Sequence, residues 1–210
     1  MGSALVAHLE SRAEHVVGCL RGTQVDWRPA GEQLSYVTGD LTDRVAVNFM
    51  VAEILRNLET CHVWINVAGG FSLDGPIEQV SPEAWPRIFD LNFITCLNAC
   101  QAIWPVFKEQ EFGRIINFGS AAGDAGMANA GPYAMSKAAV HNLTLTLAME
   151  GSDQVTANLI IPSIIDTPAN RQAMPDADFS TWTLTETIAK TIAGILDETD
   201  NPPNGRRYIV

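Results

Sequence analysis

Tyr133 and Lys137 stand four residues apart in a 210-residue chain. On a helix, that spacing puts both side chains on one face. A free phenol, with a pKa of about 10, is a poor acid or base at neutral pH. A neighbouring ammonium favours the phenolate and lowers that value. The pair could then exchange a proton with a carbonyl oxygen. Ser120 follows the apolar run Ile115-Ile116-Asn117-Phe118-Gly119, so its hydroxyl sits at a strand end where it could hydrogen-bond the same oxygen. Asn92, in Asp90-Leu91-Asn92-Phe93, falls inside a helical pattern and needs partners if it is buried. In Asn66-Val67-Ala68-Gly69 the glycine lets a flat group approach the backbone. Each residue has a plain alternative: a surface Tyr–Lys pair, a turn serine, an exposed asparagine, a strand-to-loop glycine. Their order along the chain is more telling than any one of them.

The elements that must position these residues alternate in type. Strand-like segments are His15–Cys19, Leu34–Thr38, Val63–Val67, Arg114–Phe118, Ala157–Ile161 and Arg206–Val210. Helical spacing runs over Ala4–Arg12, Val45–Leu58, Pro82–Lys108, Tyr133–Met149 and Thr185–Leu196, with Pro105 expected to end the third. Ser163–Thr183 reads as irregular, punctuated by Pro168 and Pro175. Such alternation predicts a parallel sheet with helices on both faces, and ligands at the carboxyl ends of the strands. The length suits one α/β domain over residues 1–210.

Composition narrows the function. Thirteen basic against 24 acidic residues give a formal charge of −11, which disfavours binding to a phosphate backbone. Four cysteines without C-x-x-C spacing read as small buried hydrophobes in a reducing cytoplasm. Four histidines without zinc-ligand spacing give no reason to expect a metal. No apolar run reaches the roughly 18 residues of a membrane span, and the first twenty residues do not read as a signal peptide.

Taken together, the motifs resemble the short-chain dehydrogenase/reductase family over nearly the whole chain. Asn66, Ala68 and Gly69 match its Asn-Ala-Gly strand end, Asn92 its catalytic asparagine, Ser120 its serine, and Tyr133 and Lys137 its Tyr-x-x-x-Lys. Asp40, followed by Leu41, matches its acidic residue near the adenine ring, and Thr167 its threonine beyond the sixth strand. Pro162-Ser163 departs from the family's usual Pro-Gly. The resemblance implies a Rossmann-like doubly wound α/β fold and hydride transfer between a nicotinamide and a carbonyl or alcohol. It implies Tyr133 as acid/base, with Lys137 lowering its pKa and contacting the nicotinamide ribose. It also implies Ser120 orienting the substrate oxygen and Asn92 holding a water. The cofactor would carry the redox chemistry.

Three finer expectations follow. The strand end Cys19-Leu20-Arg21 lacks the acid that favours NAD, and Arg21 could pair with a 2′-phosphate, so NADP(H) is expected over NAD(H). Asp166–Arg171, Met174–Ser180 and Trp182-Thr183 are similar to the substrate lid of dihydropteridine reductases, leaving a pteridine or quinonoid substrate as an alternative; Ser120 argues for the carbonyl reading. Asp178 and Ser180 could equally be simple helix caps. Two helices apolar on more than one face, Glu83–Trp104 and Tyr133–Met149, point to a homodimer or homotetramer.

The family opens with a strand and Thr-Gly-x-x-x-Gly-x-Gly. Here Gly2 fits the final glycine, so the first strand and two glycines are absent from the sequence, and roughly a dozen further residues before Met1 are expected. The alternatives are that the sheet closes up over the loss, or that the chain is an inactive relative serving as a binding or structural protein.

Overall fold

The computed structural model describes all residues from Met1 to Val210. In chain order the elements are α1 (Gly2–Leu9), β1 (Val16–Arg21), β2 (Asp26–Pro29), β3 (Leu34–Gly39), α2 (Arg44–Leu58) and β4 (Val63–Asn66). Then come α3 (Ala84–Phe89), a π-helical turn (Asp90–Ile94), α4 (Thr95–Glu109), β5 (Gly113–Phe118), α5 (Ala122–Ala125) and α6 (Gly131–Glu150). The chain finishes with β6 (Val155–Ile161), β7 (Ile165–Asp166), α7 (Pro168–Ala173), β8 (Thr183–Leu184), α8 (Thr185–Asp197) and β9 (Arg207–Ile209).

Strands β4, β5, β6 and β9 form one parallel sheet in that order, and β1 pairs parallel with β3 in another. Strands β5 and β6 are buried along their whole length, their polar residues Arg114, Asn117, Thr156 and Asn158 included. Alternation still sorts their side chains. Ile115, Leu159 and Ile161 face a core with α2, α4 and α6; Ile116, Phe118 and Ile160 face the opposite core with α1 and α8. The doubly wound α/β architecture expected from the sequence is therefore present.

Strands β1 and β4 belong to different sheets and are not hydrogen-bonded to each other. What joins the halves is side-chain packing: Val37 of β3 and Met50 of α2 share one core with Trp64, Ile103 and Ile115. Cys19 and Leu20 of β1 are exposed, so Cys19 is not the buried hydrophobe expected of it.

Other expectations needed correction. The expected helix Pro82–Lys108 is interrupted by the π turn, which adds a residue to the repeat exactly once and turns Asn92 inward. Pro105 does not end α4 but sits exposed inside it; burial of Trp104 and Phe107 holds the helix on the sheet as far as Glu109. Strand β2 runs antiparallel to β3 at the sheet edge, where Pro29 and charged neighbours are tolerated and leave no apolar signature. The segment read as irregular contains α7 and the small pair β7–β8. Asp178 does act as a cap there, accepting from the Ser180 N–H at 3.0 Å.

Candidate active site

Parallel strands bring their carboxyl ends to one edge, and the candidate residues collect there. Ser120 follows β5, and Tyr133 and Lys137 lie in the first two turns of α6, with Pro132 near the helix start. The phenol ring of Tyr133 meets Phe71 edge-on, with ring centroids 5.0 Å apart. Burial raises the Tyr133 pKa, and the nearby Ser120 hydroxyl partly opposes that rise.

Lys137 is buried at 7% exposure, and its ammonium donates to the Phe118 carbonyl at 2.9 Å. Burial lowers its pKa to about 8. Tyr133 is nonetheless displaced upward, because desolvation of the phenol is the largest effect on it. That differs from the expected depression of the phenol by the ammonium.

Asn92 is 1% exposed. Its Oδ1 accepts from the Gly70 N–H at 2.9 Å; its Nδ2 donates to the Gly70 carbonyl at 3.0 Å and the Ile88 carbonyl at 3.3 Å. The side chain thus clamps the glycine loop after β4. A Cβ on Gly69 would lie 2.7 Å from Asn92 Oδ1 and 3.5 Å from Lys137 Nζ, so only glycine fits between them. Gly69 and Ala68 are themselves exposed. Asn66 faces the other way, into the sheet. It accepts from the Trp64 indole at 2.9 Å and donates to Asn117 Oδ1 at 2.8 Å, and Asn117 donates to Thr144 at 2.9 Å. Its side chain braces the strand ends rather than facing the cleft.

Arg21, ending β1, pairs in register with Gly39, and its charge helps lower the Asp40 pKa, after the larger effect of the Thr42 hydrogen bonds. Asp40 accepts from the Thr42 N–H at 2.9 Å and hydroxyl at 2.7 Å. The carbonyls of Leu41 and Thr42 are each held at 3.0 Å by Asn98 of α4. Thr167 caps α7, its hydroxyl accepting from the Asn170 N–H at 3.2 Å, and Gly2 opens α1 with free space around its Cα. Lys137, Asn92 and Gly69 therefore meet at the end of β4, with Ser120 following β5 and Tyr133 one turn before Lys137 on α6. Arg21 and Asp40 form a second group; Gly2 and Thr167 hydrogen-bond neither.

Asn98, Asn117, Phe71 and His141 were not singled out from the sequence. The first two carried a signal: an asparagine inside an apolar helix or strand is disfavoured unless its amide is used. Phe71 and His141 carried none, since their partners are remote in sequence.

The exposed glycine loop, the buried cation and the carboxyl-edge loops suit a dinucleotide at this edge. The chain matches the short chain dehydrogenase family over residues 2–178, and it belongs to that family. An acetoacetyl-CoA reductase of Allochromatium vinosum is 29% identical over 147 residues, 68% of this chain and 59% of that protein. A 3beta-hydroxysteroid dehydrogenase of Mediterraneibacter gnavus is 28% identical over 148 residues, 70% of this chain and 53% of that protein. The chain thus spans between half and three-fifths of these two relatives. Among solved structures, ElxO with NADP bound aligns with a TM-score of 0.86 at 20% identity, over all of this chain and 92% of its own. NAD+-bound xylitol dehydrogenase aligns at 0.76 with 19% identity, over 85% of this chain and 78% of its own. At these identities the structural likeness establishes the fold.

Proposed function

We propose that the chain is an NADP(H)-dependent oxidoreductase acting between a carbonyl and an alcohol, with Tyr133 as acid/base. The observation that carries this reading is the meeting of Tyr133, Ser120 and the buried Lys137 beside an exposed glycine loop at the carboxyl edge of the sheet. A bound nicotinamide would supply or accept the hydride. Gly69 and Ala68 would admit the cofactor, Lys137 would bind its ribose, and Asn66 would keep that loop in place. Asp40 and Leu41 would border its adenine, with Gly2 and Thr167 assigned to it by family resemblance. Ser120 would hold the substrate oxygen while Tyr133 passes it a proton. A phenol with a raised pKa is protonated at neutral pH, which suits carbonyl reduction. A screen of carbonyl compounds with NADPH, read by nicotinamide absorbance, tests the proposal; a quinonoid pteridine turned over in preference to every ketone would move the substrate class to the alternative.

Arg21 has no ion-pair partner and stands exposed at the end of β1, free for a 2′-phosphate. A charge-assisted hydrogen bond contributes about 1.5–3 kcal/mol, so Arg21→Ala should weaken NADPH binding roughly tenfold or more while leaving NADH nearly unchanged. Fluorescence titration at equal salt measures both, and tighter NADH than NADPH in the unaltered protein would reverse the preference.

We also assign the chain to homodimers or homotetramers through α4 and α6. Met135, Leu145 and Met149 are exposed along α6. Light scattering at micromolar concentration should give at least twice the chain mass; a clean monomer contradicts the assignment. No helix is long and apolar enough to cross a membrane. All four thiols are free, and we place the protein in the reducing cytoplasm.

A further inference from the structure

His141 lies one turn beyond Lys137 on α6 and is buried behind the Ser120 turn. Its Nε2 accepts from the Ser120 N–H at 3.2 Å, and its Nδ1 lies 2.9 Å from Asp124 Oδ1. The first contact requires an unprotonated Nε2, so Nδ1 carries the proton and donates to Asp124. The other Asp124 oxygen accepts from Arg207 of β9. Two glycines make room for the ring. A Cβ on Gly119 would lie 2.4 Å from His141 Nε2, and one on Gly123 would lie 2.9 Å from Cε1. A histidine seated this closely, with both nitrogens engaged, ties the Ser120 turn to α5, α6 and β9 at once.

We propose that His141 is a positioning residue: oriented by Asp124, it accepts the Ser120 backbone N–H and thereby holds the Ser120 hydroxyl against Tyr133. The inference rests on the reading of Ser120 and Tyr133 given above. It carries a pH dependence. Protonating His141 would set an Nε2–H against the Ser120 N–H, two donors facing each other, and the turn would have to move. Asp124 on α5 faces the ring and favours the imidazolium; Arg207 on β9 and Lys137 on α6 disfavour it, and Gly119, Gly123 and Leu159 bring no charge. Burial is the largest effect and lowers the His141 pKa. Asp124 stays ionised: burial pushes its pKa up, but His141 and Arg207 together outweigh that.

The test uses the full chain with 15N-labelled histidine and amides. At neutral pH, His141 should show the Nδ1–H tautomer, and the Ser120 amide resonance should titrate with His141, at a pH below the ordinary imidazole value. An Nε2–H tautomer, or a Ser120 amide indifferent to His141, overturns the proposal. His141→Gln puts an amide oxygen where Nε2 accepts but cannot titrate. With NADPH and ethyl acetoacetate as probe substrates, His141→Leu should lose turnover about tenfold to a hundredfold, the scale of a small misplacement. His141→Gln should restore most of it and remove the acid limb of the pH profile. Full turnover in His141→Leu, or equal loss in both variants, overturns the proposal. Tyr133→Phe in the same assay separates the readings. Full turnover there strikes the site assignment; loss there with full turnover in His141→Leu strikes only His141.

Discussion

Tyr133→Phe is expected to lower turnover at least about a hundredfold, the usual scale of general acid–base catalysis, without loss of folding. The substitution removes one oxygen and keeps the ring. The edge-on contact with Phe71 at 5.0 Å survives, and so does the place of the ring on α6. Ser120 keeps its hydrogen bond from the Ala122 N–H at 3.3 Å. A thermal melt close to the unaltered protein's is therefore expected beside the kinetic loss. The pH profile adds a second readout. Because burial raises the phenol's pKa, carbonyl reduction should hold through neutral pH and fall only on the alkaline side, where the proton to be donated is lost. Near-normal turnover in the variant would remove Tyr133 from the mechanism.

The cluster around Tyr133 was legible in the sequence because its members are tied to local features. Ser120 follows an apolar strand, and Tyr133 and Lys137 share a helical turn. What escaped notice depends on long-range contacts or on weak patterns. The inward turn of Asn92 comes from a π turn whose apolar spacing differs little from that of a continuous helix. Strand β2 has charged and proline residues because it is an edge. His141 looked like one more residue of α6, and only the fold brings it to Ser120, 21 positions away, and to Asp124. Even the sign of the Tyr133 shift was a matter of burial, which spacing along a helix does not reveal.

Lys137→Met is expected to make the protein more stable and much less active. Burial drops the lysine's pKa from its ordinary 10.5 to about 8. At about 1.4 kcal/mol per tenfold change in proton affinity, keeping the buried ammonium charged costs the fold roughly 3 kcal/mol. The hydrogen bond to the Phe118 carbonyl returns about 1 kcal/mol of that. Methionine fills a similar volume with no charge to desolvate, so a net gain of about 2 kcal/mol is expected at neutral pH. The sign can be followed through the titration. Below pH 8 the folded and unfolded chains both hold the proton, and the full cost is present. From about 8 to 10.5 the folded chain releases it first, the unfolded chain binds more protons, and the unaltered protein gains stability as pH rises. The advantage of Lys137→Met should therefore shrink across that interval and reverse above it, where the charge is gone and the hydrogen bond to the Phe118 carbonyl still favours lysine. Urea unfolding at several pH values measures the difference, and a variant less stable at neutral pH, or a difference independent of pH, would refute the argument. Turnover should fall roughly tenfold to a hundredfold, the worth of one charged hydrogen bond, since Lys137 is the cation beside Gly69 and the cleft. A stabilised protein that has lost its activity would mark Lys137 as a group held at the expense of the fold for its function.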